Sequence, residues 1–369
     1  MKQIKGGVTA AKGYEAASTA AGIKYQGRTD MALIYSQVPC VSAGTFTTNV
    51  VKAAPVKWDR QIVDSGAGVQ AVVVNSGIAN ACTGEEGMEY CKETAEAAAK
   101  ALNIDAAGVL VGSTGVIGMQ LPMQKLVDGI QVLAGKKAEG LQSGHDAALA
   151  IMTTDTVEKE MAVEIEIGGK TVTIGGMSKG SGMIHPNMCT MLAFITTDAA
   201  ITKEALQKAL SEDVEDTYNM ISVDGDTSTN DTAILLANGL AGNQEITYAS
   251  PEYETFKEAL HMVNETLAKK MAGDGEGATA LFEVKVVGAE SIKQAKTLAK
   301  SVVCSNLTKA AIAGHDANWG RILCAMGYSG VQFDPEKVDL FFESKAGKLQ
   351  IIENGVATDY SEELATKIL

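Results

Sequence analysis

The alternating segment MAVEIEIGGKTVTIGGM, residues 161–177, restricts the fold more than any other part of the sequence. Its apolar and polar residues alternate on both sides of Gly168 and Gly169. The apolar positions of the two arms are Val163, Ile165, Ile167, Val172 and Ile174. A period of two is that of a β-strand with one buried face, and adjacent glycines between two such runs are typical of a tight turn. The segment therefore predicts a β-hairpin within a covered sheet.

A strand, helix, strand pattern precedes this hairpin. The runs VQAVVVNSG (69–77) and GVLVGSTG (108–115) are short, apolar and end in small polar residues, as buried strands do. Between them, the alanine-rich segment EEGMEYCKETAEAAAKAL (85–102) predicts a helix. The chain thus alternates strands and helices in its first third.

Similar patterns continue toward the C-terminus. A long amphipathic helix is predicted from Ser250 and Pro251 to Gly273, followed by an alternating strand LFEVKVV (281–287). A last hairpin is predicted in VDLFFESKAGKLQIIENG (338–355). Together these segments predict an α/β protein in which layered sheets are flanked by helices.

Composition excludes several classes of function. The 369 residues carry a net charge of −14 with a pI near 4.8, which disfavours binding to the phosphate backbone of nucleic acid. There is no signal-peptide pattern and no apolar run of membrane-spanning length, so we expect a cytoplasmic protein that does not bind membranes. The scattered cysteines are Cys40, Cys82, Cys91, Cys189, Cys304 and Cys324. Without a C-x-x-C pair they indicate neither a metal site nor a disulfide framework.

Two motifs resemble binding loops, one for phosphate and one for calcium, but each lacks a residue that the motif requires. EIEIGGKT resembles the end of a phosphate-binding loop, but Glu164 stands where the first glycine is needed. DGDTSTND (224–231) resembles a calcium loop, but Leu235 replaces the required glutamate. An ordered polar loop is the expectation there. Of the four histidines, His185 is nearest in sequence to a candidate nucleophile, and no role is assigned to it.

That candidate is Thr190, in HPNMCTMLAFITTD (185–198), where a glycine-rich stretch carrying Lys179 gives way to an apolar run. A threonine can simply begin a β-strand, which its branched side chain favours. Alternatively, its hydroxyl could attack the preceding carbonyl. After cleavage, the free amine, with a reference pKa of about 7.7–8.0, could act as the base for that hydroxyl.

The surrounding stretch MSKGSGMIHPNMCTMLAFITTDAAI resembles the self-cleavage region of the ornithine acetyltransferase family, the glutamate N-acetyltransferases of arginine biosynthesis. Other segments resemble landmarks of that family in the same order. They are GGVTAAKGYEAA, AGTFTTNVVKAAPV, VVVNSG, NACTG, GSTGVIG, IMTTDT, SVDGDTSTNDT, AGDGEGATAL and HDANWGRIL. The resemblance covers essentially the whole chain, and it implies an N-terminal-nucleophile-like fold.

The resemblance implies cleavage between Cys189 and Thr190, which gives an α chain of residues 1–189 and a β chain of residues 190–369. Thr190 then becomes the catalytic nucleophile. The family moves an acetyl group from N-acetylornithine to glutamate through an acetyl-threonine intermediate, releasing ornithine and N-acetylglutamate in a ping-pong exchange. Two cleaved protomers assemble as α2β2 in this family. No cofactor is implied, although acetyl-CoA is a possible second donor.

The remaining roles follow by matching position. Thr114 and Gly115 match the oxyanion-hole residues, which stabilise the negative oxygen of each tetrahedral intermediate. Lys179 and Glu276 match a substrate-binding lysine and glutamate, which suit amino-acid substrates that carry both charges. In IMTTDT the matching substrate-binding residue is Thr153, with Thr154 as the neighbouring alternative.

The sequence departs from the family pattern in three places. Cys189 replaces the usual alanine before the cleaved bond, and Ile78 replaces a usual asparagine. Family members also continue beyond the residue at which this sequence stops, into a tail that contributes an asparagine and a threonine to the substrate site. Two alternatives therefore stand beside the transferase: a related N-terminal-nucleophile amidase or aminopeptidase, and an uncut, inactive relative.

Overall fold

The structure is a computed structural model that describes residues 1–185 and 191–369. The chain forms two compact units. The large unit comprises Met1–Asn219 and Gly225–Glu276, and the small unit comprises Met220–Asp224 and Gly277–Leu369. Cys189 and Thr190 lie outside the described residues, so the division into an α chain and a β chain at that bond stays a prediction.

The large unit is built on a mixed β-sheet. Its strands are β1 (Lys2–Ile4), β2 (Tyr14–Thr19), β3 (Met31–Phe46), β4 (Val69–Ile78), β5 (Val109–Val116), β6 (Lys159–Ile167), β7 (Lys170–Lys179), β8 (Leu192–Thr197) and β9 (Thr232–Ala237). Its helices are α1 (Ala54–Ser65), α2 (Glu86–Leu102), α3 (Met123–Lys136), α4 (Leu141–Ala150), α5 (Lys203–Asp216) and α6 (Glu252–Gly273). The hairpin predicted at 161–177 is confirmed as β6 and β7, and the predicted strand, helix, strand unit is β4, α2 and β5.

The strand order brings distant parts of the sequence side by side. The order is β1-β6-β7-β8-β9-β3-β4-β5, with β2 paired to β3. β4 and β5 are parallel, as are β8 and β9, while β7 and β8 are antiparallel. The strand that follows Thr190 is therefore central, between β7 and β9.

Helices cover both faces of the sheet, as the continuous apolar run of β4 requires. Val72 and Val74 pack in one cluster with residues of α1 and α4. The intervening Ala71 and Val73 pack in a second cluster with residues of α2 and α3. Successive side chains of a strand point to opposite faces, so both sides of β4 are buried under helices. The predicted α/β class is confirmed.

The small unit has its own apolar core. Its elements are α7 (Ile292–Val303), α8 (Asn306–Ala313), α9 (Trp319–Gly327), β10 (Leu340–Ser344), β11 (Gly347–Glu353), β12 (Val356–Ala357) and α10 (Glu362–Ile368). The hairpin predicted at 338–355 is confirmed as β10 and β11, which pair antiparallel. Phe342, Ile351 and Ile368 are among the buried core residues.

The prediction of a strand at residues 281–287 is wrong, because these residues do not form a β-strand. Its side chains do alternate between exposed and half-buried positions. A β-strand, however, also needs a hydrogen-bonded neighbour, and none of the described strands pairs with this segment. By contrast, the helix predicted up to Gly273 is confirmed as α6. None of the described helices is long and apolar enough to cross a bilayer.

Gly175 in β7 provides a test of the close contact between this strand and the N-terminal segment. A Cβ atom at position 175 would lie 2.1 Å from the backbone oxygen of Gly7. Gly175→Ala should therefore lower the free energy of unfolding by about 1–3 kcal/mol, the usual cost of overpacking. Urea denaturation measures this change. Gly135→Ala is the control, since that site in α3 is open, and it should be neutral or raise stability by about 0.5–1 kcal/mol; equal effects at both sites would contradict the packing argument.

Candidate active site

A pocket of about 480 Å³ in the large unit collects most of the residues that the sequence singled out. The predicted site residues that line it are Thr114, Gly115, Thr153, Thr154, Lys179 and Glu276. Met191 and Leu192, which directly follow Thr190 in the sequence, line it as well. Thr190 and Cys189 themselves lie outside the described residues.

Thr114 and Gly115 lie at the end of β5, beside the parallel strand β4. Gly115 pairs with Gly77 and has a φ of +129°, a region that favours glycine. A Cβ atom at position 115 would lie 2.2 Å from the carbonyl carbon of Gly77, so only glycine fits. The Thr114 side chain makes no hydrogen bond to another described residue, which leaves its hydroxyl available to a ligand.

A buried polar network holds the strand ends around Thr114. The Ser113 hydroxyl donates to the Asn75 side chain (2.7 Å), and the Asn75 amide donates to the Ile78 carbonyl (2.9 Å). The Asn230 amide donates to the carbonyl of Ser113 at 2.9 Å, which fixes the peptide just before Thr114. Asn230 was not singled out from the sequence. The expected ordered polar loop at 224–231 thus contributes directly to the pocket.

Lys179, the last residue of β7, is 7% exposed and sits opposite Leu192 in the β7–β8 register. Its Nζ lies 3.9 Å from the Asp155 carboxylate, too far for a hydrogen bond. Burial lowers the pKa of the Lys179 ammonium, while the negative charges of Asp155, Asp231 and Glu276 oppose that shift. The net effect lowers that pKa, and since Nζ makes no hydrogen bond to another described residue, the pocket contains a basic group with free donor capacity.

Beneath Lys179 lies a buried ion cluster formed by Lys159, Asp155 and Asp274. The Lys159 side chain is 0% exposed, and its Nζ lies 2.8 Å from Asp155 and 2.6 Å from Asp274. Burial raises the pKa of Asp155, but Lys179 and Lys159 outweigh it and hold that pKa below its ordinary value. Burial also raises the pKa of Asp274, but hydrogen bonds from Lys159 and Thr156 outweigh it and hold that pKa below its ordinary value. Both carboxylates of the cluster are therefore ionised at neutral pH. None of these three residues was singled out from the sequence, although Asp155 lies in the motif IMTTDT and Asp274 in the motif AGDGEGATAL.

The cluster ties together three chain segments that carry pocket residues. Asp155 accepts hydrogen bonds from the backbone N–H of Thr153 (3.0 Å) and of Gly180 (2.7 Å). The Ser181 hydroxyl donates to the backbone carbonyl of Asp274 at 2.7 Å. These bonds position the segments that bear Thr153, Lys179 and Glu276 relative to one another.

Glu276 is held by its backbone, and its side chain makes no hydrogen bond within the described residues. Its N–H donates to the Ser181 carbonyl at 3.0 Å. The carboxylate lies over Gly182, where a Cβ atom would come within 2.3 Å of Oε1. The absence of a side chain at Gly182 therefore makes room for the Glu276 carboxylate, which remains available to a cationic group.

Arg28 also lines the pocket, and it holds the loop that carries Thr153. Its Nη2 atom donates to the carbonyls of Met152 (2.5 Å) and Thr153 (3.0 Å). Arg28 was not singled out from the sequence, because lone arginines are usually surface residues. Thr153 is half-buried and Thr154 is exposed, and both line the pocket.

Two other residues that were considered from the sequence are His185 and Ile78. His185 is not among the lining residues; its backbone carbonyl accepts a hydrogen bond from the Thr227 hydroxyl at 2.9 Å. Ile78 is 2% exposed and packs in the apolar cluster of α2 and α3. Within residues 1–185 and 191–369, no cluster of three or more metal-ligating side chains is found.

The fold and the pocket define an α/β protein with a polar site that presents the buried amino group of Lys179, the carboxylate of Glu276 and the hydroxyl of Thr114. Such a site suits a small amino-acid-like ligand. A sequence profile of the ArgJ family matches residues 15–369, and the chain belongs to that family. The resemblance identified from the sequence motifs is thereby confirmed.

Two relatives illustrate this membership, and one solved structure is also similar in sequence to half of the chain. Arginine biosynthesis bifunctional protein ArgJ of Thermotoga neapolitana is 53% identical over 343 residues, 93% of this chain and 86% of that protein. The protein of the same name from Symbiobacterium thermophilum is 53% identical over 371 residues, 100% of this chain and 90% of that protein. The structure of ornithine acetyltransferase complexed with ornithine from Mycobacterium tuberculosis is 44% identical; the match covers 49% of this chain and 95% of that chain, with a TM-score of 0.45.

Removing the central cation tests the importance of the buried cluster. Lys159→Met keeps the length of the side chain but leaves the Asp155 and Asp274 carboxylates without their partner. We expect the free energy of unfolding to fall by about 3–5 kcal/mol, the usual cost of breaking a buried ion pair. Denaturant titration measures it. Lys208→Met removes an exposed pair with Glu212 and should cost roughly 0–1 kcal/mol; similar losses for the two variants would show that the cluster does not hold the fold.

Proposed function

We propose that this protein is a glutamate N-acetyltransferase that transfers the acetyl group of N-acetylornithine to glutamate through an acetyl-Thr190 intermediate, after self-cleavage between Cys189 and Thr190. Its family membership makes it an enzyme of arginine biosynthesis. The observation that carries the finer proposal is the convergence of Thr114, Gly115, Lys179 and Glu276 around the start of β8, the strand that follows Thr190.

The charges of the pocket match the proposed substrates. N-acetylornithine carries a carboxylate and a side-chain ammonium, and glutamate carries two carboxylates and an α-ammonium. Lys179 supplies a buried cation that a carboxylate can pair with, and Glu276 supplies an anion for an ammonium group. Charge-assisted hydrogen bonds of this kind are roughly twice as strong as neutral ones. A hydrolase that passes an acyl group to water needs no second charged acceptor site.

The proposed chemistry proceeds in two acyl transfers. In the first, the Thr190 Oγ attacks the acetyl carbonyl of N-acetylornithine, and the free amine of Thr190 takes the hydroxyl proton. The C–N bond then breaks, the proton moves to the departing α-amine, and ornithine leaves. In the second, the amine of glutamate attacks the acetyl-threonine ester, the proton returns to Oγ, and N-acetylglutamate leaves.

Both transfers pass through a tetrahedral intermediate with a negative oxygen. In the proposal, the Thr114 hydroxyl and the Gly115 backbone N–H stabilise that oxygen. The unpaired hydroxyl at the end of β5 and the close approach that only glycine permits at position 115 support this assignment. A donor of this type is worth about 2.7–4 kcal/mol in the transition state.

Two further parts of the proposal concern donors and assembly. The names of the relatives include the word bifunctional, and we propose that acetyl-CoA serves as a second acetyl donor at the same threonine. We also propose an α2β2 assembly of two cleaved protomers. Acetyl transfer from acetyl-CoA to glutamate and the mass of the native assembly test these two statements separately.

Thr190→Ala tests the nucleophile. Without its hydroxyl the chain cannot attack the bond after Cys189, so we expect one species with the mass of all 369 residues and no acetyl transfer. Intact mass spectrometry of the denatured wild type should instead give two species split at that bond. Two fragments from the variant would contradict the cleavage chemistry. Acetate released without N-acetylglutamate by the wild type would favour the amidase alternative.

Thr114→Val tests the oxyanion role, because valine keeps the shape of threonine and removes only the hydroxyl. We expect kcat for acetyl transfer to fall by about 10²–10³ with a small change in KM, since the lost bond forms only in the transition state. Thr94→Val is the matched control: the Thr94 hydroxyl is bonded to the Tyr90 carbonyl within α2, outside the pocket lining. Unchanged transfer by Thr114→Val would remove this residue from the oxyanion site.

A further inference from the structure

The side-chain amide of Asn230 bridges two backbone carbonyls in the pocket, and the proposed chemistry gives it no role. Its Nδ2 atom donates to the carbonyl of Ala79 at 2.6 Å and to that of Ser113 at 2.9 Å. Carbonyl oxygens only accept hydrogen bonds, so the atom that faces both of them is the NH₂ group. Asn230 is 7% exposed, and its Oδ1 atom accepts from the Thr229 hydroxyl at 2.6 Å. Both N–H groups of the amide are therefore occupied, and the side chain has no donor left for a ligand.

The two bridged carbonyls flank the segment that carries the predicted oxyanion-hole residues, Thr114 and Gly115. Ser113 directly precedes Thr114. Ala79 holds the other side, since its N–H donates at 2.9 Å to the carbonyl of Val116, the residue after Gly115. One amide group therefore closes a ring of hydrogen bonds around these two residues.

The pairing of β4 with β5 becomes irregular at the same place. The two strands keep one parallel register up to Gly77 opposite Gly115, and the register shifts between Gly77 and Ile78. Where a ladder is disrupted, the backbone bends and its side chains and N–H groups take new directions. The bridge from Asn230 lies at this irregular end and supplies a restraint that regular strand pairing does not.

The backbone on both sides of Asn230 is anchored to other elements of the large unit. The N–H of Ala53, directly before α1, donates to the Thr229 carbonyl at 2.9 Å. The N–H of Thr47, directly after β3, donates to the Asp231 carbonyl at 2.9 Å. Because its own backbone is held in this way, the Asn230 amide can fix the position of the β5 end instead of following it.

We propose that Asn230 is a positioning residue for the oxyanion hole. It holds the peptide that leads into Thr114 and, through Ala79, the carbonyl group that follows Gly115. The Thr114 hydroxyl and the Gly115 N–H are thereby directed at one oxygen atom. Donors that are already in place need no reorganisation during the reaction, and a misplacement of about 1 Å can lower a rate about 10²-fold. The inference rests on the proposed function, which gives these two donors their role; Asn230 itself touches no reacting atom.

Asn230→Ala is the decisive variant, and Asn243→Ala is its matched control. Asn243 is 8% exposed and outside the pocket lining, and its Nδ2 atom also donates to two backbone carbonyls, those of Ala200 (3.1 Å) and Gln244 (2.7 Å). Both variants lose the same kind of bridge and should lower Tm by similar amounts. For cleaved Asn230→Ala we expect kcat for acetyl transfer to fall by about tenfold to a hundredfold. Its KM for N-acetylornithine should stay within about threefold of the wild type, because the affected bonds form in the transition state. Asn243→Ala should keep the wild-type kcat and KM.

A double-mutant cycle with Thr114→Val separates positioning of the oxyanion hole from a general effect on the site. If Asn230 acts through the Thr114 hydroxyl, loss of the amide matters less once that hydroxyl is absent. The fold loss in kcat caused by Asn230→Ala should therefore be at least about threefold smaller in the Thr114→Val background than in the wild type. Equal fold losses in the two backgrounds would mean that the two residues act independently, and would overturn the inference.

The other outcomes distinguish this inference from the proposed function. Wild-type kcat in cleaved Asn230→Ala, or a raised KM alone, would overturn the inference and leave the transferase proposal intact. A folded but uncut Asn230→Ala chain would also overturn it, because the amide would then be needed before any acetyl transfer. If Asn230→Ala does not fold, Asn230→Ser, whose hydroxyl can keep one of the two bonds, is compared with Asn243→Ser by the same criteria. If the wild type itself transfers no acetyl group, the proposed function fails, and the inference fails with it.

Discussion

The ammonium group of Lys159, buried between two carboxylates, is the interaction on which the candidate site depends. Moving three charges out of water costs free energy, and such a cluster is kept only if its geometry and its remaining hydrogen bonds are good. Here Asp155 also accepts from two backbone N–H groups, and Asp274 accepts from the N–H of Thr156. The cluster therefore joins segments that are more than a hundred residues apart in sequence into one wall of the pocket.

The same cluster explains why Lys179 has free donors. Lys159 takes the closer contact with Asp155, at 2.8 Å, while Lys179 remains at 3.9 Å. If Lys159 were neutral, Asp155 would need another counter-ion, and Lys179 is the nearest cation. Lys159 thus satisfies the buried carboxylate so that Lys179 can pair with a ligand. Its contribution to the site is electrostatic as well as structural, although it does not line the pocket.

The sequence was informative where one local pattern determines the result. Alternation around Gly168 and Gly169 was enough for the β6–β7 hairpin, and the motifs containing Thr114 and Lys179 located residues that the structure brings into one pocket. It was uninformative where a role depends on a distant partner. Alternation at 281–287 could not show that no described strand would pair with it. Likewise, nothing local distinguishes Lys159 or Arg28 from ordinary charged residues, because their burial and their partners come from other parts of the chain.

The arrangement of strands explains why these residues surround the start of β8. Parallel pairing of β4 with β5 brings Gly77 against Gly115, and parallel pairing of β8 with β9 brings Met191 against the Asp231 loop. Asn230 in that loop donates to the carbonyls of Ser113 and Ala79, so the loop links the two strand pairs. A shift of either register would separate the Thr114 hydroxyl from the strand that follows Thr190. The precision of the site therefore comes from the central sheet, while the burial of the polar Lys179 side chain is a cost that the helix-covered core of the sheet offsets.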